Sequence, residues 1–99
     1  MEHLNSKLIC TNYKCIDNLS GLDISKIEDF TDLVSASFSY MSHRISVCIG
    51  YEGSLKLIVL DDDNQTVVLE RAFESNLPEY TKEKLLVLLT DTAKEYLGI

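Results

Sequence analysis

The chain has 99 residues, of which 45% are hydrophobic and 25% are charged. This length predicts a single domain over residues 1–99, and the composition is that of a folded domain rather than a disordered chain. Sixteen acidic residues against nine Lys and Arg give a formal net charge of −7. Such a field disfavours binding to nucleic acid or anionic lipid and attracts a basic partner, although acidity also serves solubility.

The beginning of the chain and its cysteines predict a cytoplasmic protein. Residues 1–7 lack the apolar stretch of a secretory signal, and no apolar run approaches the length of a membrane span. Cys10, Cys15 and Cys48 cannot all pair within one chain. We therefore expect free thiols in a reducing compartment, while the spacing leaves a Cys10–Cys15 disulfide open.

The first 22 residues have two interpretations. Six apolar side chains roughly follow one helical face: Leu4, Leu8, Ile9, Tyr13, Ile16 and Leu19. Residues 8–16 also contain strand-forming side chains, but we prefer a helix. Residues 18–21 then indicate a turn.

A second helix is predicted to begin at Ser25. Ser25 and Glu28 have the spacing of a capping box, in which each side chain bonds to an otherwise unsatisfied amide of the other residue. Ile27, Phe30 and Val34 follow at intervals of three and four, which forms a narrow apolar stripe.

The centre of the chain predicts an antiparallel sheet. Apolar and small polar side chains alternate with period two over residues 34–40 and 45–51, which is typical of strands with one buried face. Four strands are predicted, over residues 34–40, 45–51, 55–60 and 66–73. Turns are predicted at residues 41–44, 52–53 and 61–65. Connections this short imply a meander.

The polar face of the first two strands is rich in serine. These serines, with one in the intervening turn, are Ser35, Ser37, Ser39, Ser42 and Ser46. The face is either solvated or a flat platform on which a partner docks.

A last helix is predicted before Gly98. Asn76 with Glu79, or Thr81 alone, is the expected cap, and Pro78 suits a first turn. The apolar face is broad and comprises Leu85, Leu86, Leu88, Leu89, Ala93, Tyr96 and Leu97. The predicted fold class is therefore α+β: a four-stranded antiparallel meander with one or two N-terminal helices and a C-terminal amphipathic helix packed on one face.

Catalytic and metal-binding motifs are weak in this sequence. His3 and His43 do not stand at zinc-ligand spacing from the cysteines, and a calcium loop counted from Asp61 lacks its glycine and its final glutamate. We expect neither a metal nor another cofactor, and we interpret residues 61–65 as a turn. Cys48, with His43 and Arg44 nearby in sequence, leaves a small thiol enzyme as a remote alternative.

Acidic side chains cluster in two segments, which we predict to bind a partner. The candidate partner-binding residues are Asp23, Glu28, Asp29, Asp32, Asp61, Asp62 and Asp63. Brought together, they would imitate the charge of a phosphate backbone. The main hypothesis is a non-enzymatic inhibitor of a protein with a basic surface, such as a toxin or a nucleic-acid enzyme, acting as a monomer or homodimer. Immunity proteins, antitoxins and phage inhibitors are similar as a class.

An escort protein is the alternative hypothesis. From Ser54 to Leu97, two predicted strands precede Leu77-Pro78 and a leucine-rich helix. This pattern resembles the C-terminal half of acidic type III secretion chaperones, although it covers less than half of the chain and has no helix between the strands. The resemblance implies a dimer that holds an extended effector segment.

Overall fold

The protein is an α+β domain, seen in a computed structural model that describes residues 5–10, 25, 27 and 31–99. Its strands and helices follow the chain in the order β1 (Asn5–Cys10), β2 (Thr31–Tyr40), β3 (His43–Tyr51), β4 (Leu55–Asp61), β5 (Thr66–Ala72), a 3-10 turn (Leu77–Glu79) and α1 (Lys82–Leu97). The strands form one antiparallel sheet whose spatial order is the chain order. The predicted four-strand meander and C-terminal helix are therefore confirmed.

The core lies between the sheet and α1. In the register of β2 with β3, Val34, Ala36 and Phe38 lie opposite Ile49, Val47 and Ile45, and all six side chains are buried. Leu85, Leu89 and Ala93 of α1 belong to the same buried cluster. We call the side of the sheet packed on α1 the helix face and the other side the far face. The apolar side of α1 is narrower than predicted, because Leu86 is half-buried and Tyr96 is exposed.

Residue-specific caps define both ends of α1. Thr81 Oγ1 accepts a hydrogen bond from the Lys84 amide at 3.2 Å, so Thr81 is the N-cap. Asn76 precedes the 3-10 turn and makes no side-chain cap bond, and Pro78 lies in that turn rather than in the helix. Gly98 ends α1 with a φ of 76°, a left-handed conformation that favours glycine.

The N-terminal interpretation needs correction. The preferred helix is wrong over Asn5–Cys10, because this segment pairs as β1 with the outer edge of β2. Residues 11–24, which include the rest of that predicted helix, lie outside the described residues. Val34 belongs to β2, so the predicted second helix does not reach it. Residues 26 and 28–30 of that helix also lie outside the described part of the chain.

A β-bulge near the start of β2 sets which face its acidic residue occupies. Asp32 lies opposite Gly50 and Val34 lies opposite Ile49, which leaves Leu33 as an extra residue. Leu33 and Val34 both join the core on the helix face. The bulge thus places Asp32 on the far face, beside Cys48.

Candidate functional site

The predicted acidic residues fall into three groups in the structure. Asp23, Glu28 and Asp29 lie outside the described residues. Asp32 is half-buried on the far face, and Asp61, Asp62 and Asp63 lie at the turn that joins β4 to β5. Asp32 and Asp62 both act electrostatically on the Cys48 thiol, so these two members of the predicted set lie on the same side of the sheet.

Asp61 stabilises the turn from within. Only 6% of its surface is exposed, and its carboxylate accepts hydrogen bonds from the Asp63 amide at 3.0 Å, the Asn64 amide at 3.2 Å and Asn64 Nδ2 at 2.8 Å. The bond from the Asn64 side chain is the main reason that the pKa of Asp61 lies below its ordinary value. These bonds make Asp61 a structural residue of the turn that the sequence predicted.

Asp62 and Asp63 tie the same turn to β3. Ser46 Oγ lies 2.9 and 2.8 Å from the two carboxylate oxygens of Asp62. Asp63 accepts from the Arg44 amide at 3.2 Å and from Arg44 Nε at 3.4 Å, and it lies 3.3 Å from His43 Nδ1. The charge of Asp63 is therefore partly offset inside the protein rather than fully available to a partner.

Three side chains at this turn meet the minimal geometry for holding a cation. His43, Asp61 and Asp63 each offer one ligand atom within 4.8 Å of the others. The two carboxylates already accept N–H bonds from Arg44, Asn64 and the turn backbone, so a metal ion would have to displace those bonds. The arrangement is that of a hydrogen-bonded turn.

The surroundings of Cys48 do not suit a nucleophile. The side chain is 1% exposed, and burial, followed by the charge and hydrogen bond of Asp32, raises its pKa to about 12. Asp62 adds a smaller effect of the same sign. In the β2–β3 register His43 shares the helix face with Ile45, while Cys48 lies on the far face. The carboxylates of Asp32 and Asp62 thus disfavour a thiolate at Cys48, and His43 lies on the opposite face of the sheet.

An acidic hollow of about 250 Å³ lies on the far face, next to β5. Its uncharged lining residues are Cys48, Ile58, Leu60 and Val67. Its carboxylates belong to Asp32, Glu52 and Glu70. We call this the far-face hollow.

Lys56 only partly offsets the charge of the far-face hollow. Its Nζ lies 3.0 Å from Glu70 Oε1 and 3.4 Å from Glu52 Oε2, and these contacts, Glu70 first, raise the pKa of Lys56. Among the residues whose side chains the structure describes, Lys56 is thus the ammonium that pairs with Glu52 and Glu70. The lining of the hollow combines apolar side chains with carboxylates, a combination that suits the aliphatic stem and charged head of a lysine or arginine.

A second hollow, of about 330 Å³, lies between β5 and α1. Six of the side chains in its wall are Arg71, Phe73, Glu74, Tyr80, Asp91 and Glu95. The rings of Phe73 and Tyr80 are 5.4 Å apart between centroids and tilted by 43°. We call this the helix-face hollow; its wall joins an aromatic pair to three carboxylates and one guanidinium.

The described chain ends its sheet at β5, which lies between the two hollows. Six of the seven residues of β5 are exposed, and Val67 has 54% of its surface in solvent. Glu52, Glu70, Asp91 and Glu95 were not predicted as site residues, because none of them belongs to an acidic run of the sequence. One usable signal was present, since Asp91 and Glu95 have the spacing of one helix face.

Comparisons of this chain with protein-family models, curated proteins and solved structures found no match. Among the described residues, no helix combines the length and apolar character needed to cross a membrane.

Proposed function

We propose that this protein is a non-enzymatic inhibitory binding protein that neutralises a basic macromolecular partner through its acidic surface. The partner class is a toxin or a nucleic-acid enzyme with a basic active-site cleft, bound in the cytoplasm. The observation that carries the proposal is the pair of acid-lined hollows on either side of β5. Each combines apolar or aromatic surface with more carboxylates than cations.

The charge of the whole chain supports the same partner class. A net charge of −7 attracts a positively charged protein over a distance of about 10 Å at ordinary ionic strength and accelerates its approach. Once contact is made, the hollows offer apolar surface that excludes water around a cationic side chain. Charge then governs the association rate and partner choice, and apolar contact supplies much of the affinity.

We propose unequal roles for the acidic residues. Asp32 lines the far-face hollow and keeps its proposed role. Asp61, Asp62 and Asp63 already form hydrogen bonds or ion pairs within the protein. We therefore assign them a smaller role in binding the partner. Glu52 and Glu70 take their place as proposed contacts, while Asp23, Glu28 and Asp29 stay in the predicted set.

The test compares two variants that remove the same number of charges. Glu52→Gln with Glu70→Gln removes two carboxylates at the far-face hollow, and Glu79→Gln with Glu83→Gln removes two exposed carboxylates outside both hollows. A partner captured by the wild-type protein is identified, its association rate with each variant is measured, and its enzymatic activity is assayed with and without the protein.

We expect a basic partner whose activity falls on binding. The far-face variant should associate about tenfold more slowly at low salt, with a much smaller effect in the control variant. A partner that is acidic, that keeps full activity in the complex, or that binds equally fast at low and high salt would refute the proposal.

An escort function is the second candidate, and the exposed strand β5 favours it. An escort holds an unfolded, extended segment and is expected to dimerise, whereas an inhibitor binds a folded enzyme. Light scattering of the protein alone and circular dichroism of the isolated partner separate the two. A dimer whose partner is unfolded when alone would select the escort.

A further inference from the structure

The geometry points to strand addition at β5: an extended basic segment of the partner pairs with this strand and prolongs the sheet. This inference rests on the proposed function for the basic character of the partner, and it adds the binding mode and the recognised segment. Sheet edges that remain unpaired are common templates for such additions.

The hydrogen bonds between β4 and β5 show which backbone groups of β5 could pair with an added strand. The Phe73 amide donates to the Leu55 carbonyl at 3.0 Å, so Phe73 faces β4. Inward and outward pairs alternate along an antiparallel ladder, which turns Arg71 toward β4 as well. Glu70 and Ala72 therefore direct their N–H and C=O groups away from β4, to the side where the described chain has no further strand.

An added strand would reach both hollows. Neighbouring strands lie about 4.8 Å apart and project successive side chains to opposite faces. Side chains on one face would enter the far-face hollow near Glu70, and those on the other would enter the helix-face hollow near Asp91 and Glu95. Since both hollows are rich in carboxylates, the fitting segment carries lysine or arginine at consecutive positions rather than at alternate ones.

The two hollows differ in how they would hold a cation. In the far-face hollow the aliphatic stem would lie on Leu60 and Val67 while the charged head meets Glu70. In the helix-face hollow the Phe73–Tyr80 pair adds an aromatic surface, which attracts cations through its ring faces. We expect the helix-face hollow to favour arginine, whose planar guanidinium stacks on rings.

Charge argues against a second copy of the chain as the occupant. A copy would bring a net charge of −7 and its own Glu70 to the same edge, so like charges would meet across the new pair. A basic segment instead brings the charge opposite to that of the carboxylates lining both hollows. The occupant is thus a heterologous basic strand.

The probe is a synthetic capped hexapeptide, acetyl-Thr-Lys-Arg-Val-Lys-Thr-amide, with a counterpart in which Glu replaces Lys and Arg. Binding to the ¹⁵N-labelled full chain is followed by amide chemical shifts and by hydrogen exchange. Ala72→Pro removes one outward N–H while leaving the β4 ladder intact, and proline is tolerated on an edge strand. Ala72→Val keeps that N–H and is the matched control.

The basic peptide should shift and protect the amides of Glu70 and Ala72. Ala72→Pro should weaken binding about tenfold or more, while Ala72→Val binds as the wild type does. Glu70→Gln and Asp91→Asn should each weaken it, and Glu79→Gln should not. Binding that survives Ala72→Pro, shifts that map away from β5, self-association through β5, or no binding at millimolar peptide would overturn strand addition.

The outcomes separate this inference from the proposed function. If the Ala72→Pro variant and the wild type inhibit a captured basic partner equally, the proposed function is supported and strand addition is refuted. If the basic and acidic peptides bind equally well and Ala72→Pro weakens both, strand addition is supported. The charge argument behind the proposed function is then refuted.

Discussion

The two terminal nitrogens of the Arg71 guanidinium face the carboxylate of Glu95, at 3.1 Å from Nη2 to Oε1 and 3.4 Å from Nη1 to Oε2. This pair joins β5 to α1 beside the helix-face hollow. Because the Glu95 carboxylate is already paired with Arg71, we expect an incoming cation to bind mainly to Glu74 and Asp91.

Breaking the Arg71–Glu95 pair should cost little stability. Both side chains are exposed, and ion pairs of this kind contribute about 0.2–1 kcal/mol. A double-mutant cycle of Arg71→Gln and Glu95→Gln, measured by urea unfolding in low and high salt, should give a small coupling energy that salt decreases. A coupling above about 2 kcal/mol would show that the pair is far less solvated than its exposure indicates.

Replacing Thr81 by alanine should destabilise α1. The mutation removes the acceptor of the Lys84 amide, and a lost N-cap costs about 1 kcal/mol. Asn76→Ala is the control, since Asn76 makes no side-chain cap bond to the 3-10 turn. Wild type and Asn76→Ala should have similar melting temperatures, and Thr81→Ala should have a lower one. Equal losses in both variants would show that Thr81 is not the N-cap that stabilises α1.

Acid should weaken the turn between β4 and β5 through Asp61. Its folded pKa lies below the ordinary value of 3.8, so its contribution to stability is complete above that value. The contribution is lost as the pH falls through the lowered folded pKa, where the folded carboxylate also takes up a proton.

Asp61→Asn provides the measurement for this acid dependence. The free energy of unfolding of the variant should be lower than that of wild type near pH 7, and the difference should shrink on acidification below about pH 4. The control, Glu79→Gln, changes an exposed carboxylate outside the turn. A difference that does not depend on pH would remove Asp61 from the account of acid sensitivity.

The Cys48 thiol should resist alkylation in the folded protein. Its pKa of about 12 leaves almost no thiolate at neutral pH, and its side chain is buried. In a Cys10→Ser, Cys15→Ser background, iodoacetamide should label Cys48 only after denaturant is added. Rapid labelling of the native protein at pH 7 would revive the thiol-enzyme alternative.

Alkaline pH supplies an independent check on the same group. An unfolded cysteine ionises near 9, whereas the folded Cys48 stays protonated until about 12. Between these values the folded state binds more protons than the unfolded state, so stability falls as the pH rises. Cys48→Ser should show a shallower loss of stability over that range.

The meander was predictable because two neighbouring segments alternate with a period of two and the connections after them are short. Residues 34–40 and 45–51 show this most clearly, and both became the centre of the sheet. The start of β2 was placed too late because the bulge at Leu33 puts two consecutive apolar residues on one face. A periodic pattern cannot show a bulge, since the extra residue interrupts the period that defines the strand.

The N-terminal strand and the two hollows depend on contacts that no local pattern contains. Asn5–Cys10 becomes a strand only because β2, far along the chain, offers an unpaired edge. Glu52 and Glu70 meet at Lys56 through the β4–β5 register, although neither belongs to an acidic run. Asp61–Asp63 was the acidic run predicted to bind a partner. Its carboxylates instead form hydrogen bonds and an ion pair within the protein.

The sequential strand order also governs how the sheet assembles. From β2 to β5 each strand finds its neighbour across a connection of a few residues, so successive hairpins can close with little loss of chain entropy. β1 must instead close residues 11–30 before it reaches β2. We therefore expect the β1–β2 ladder to form last and to open first, which would expose the outer edge of β2 while the rest of the domain stays folded.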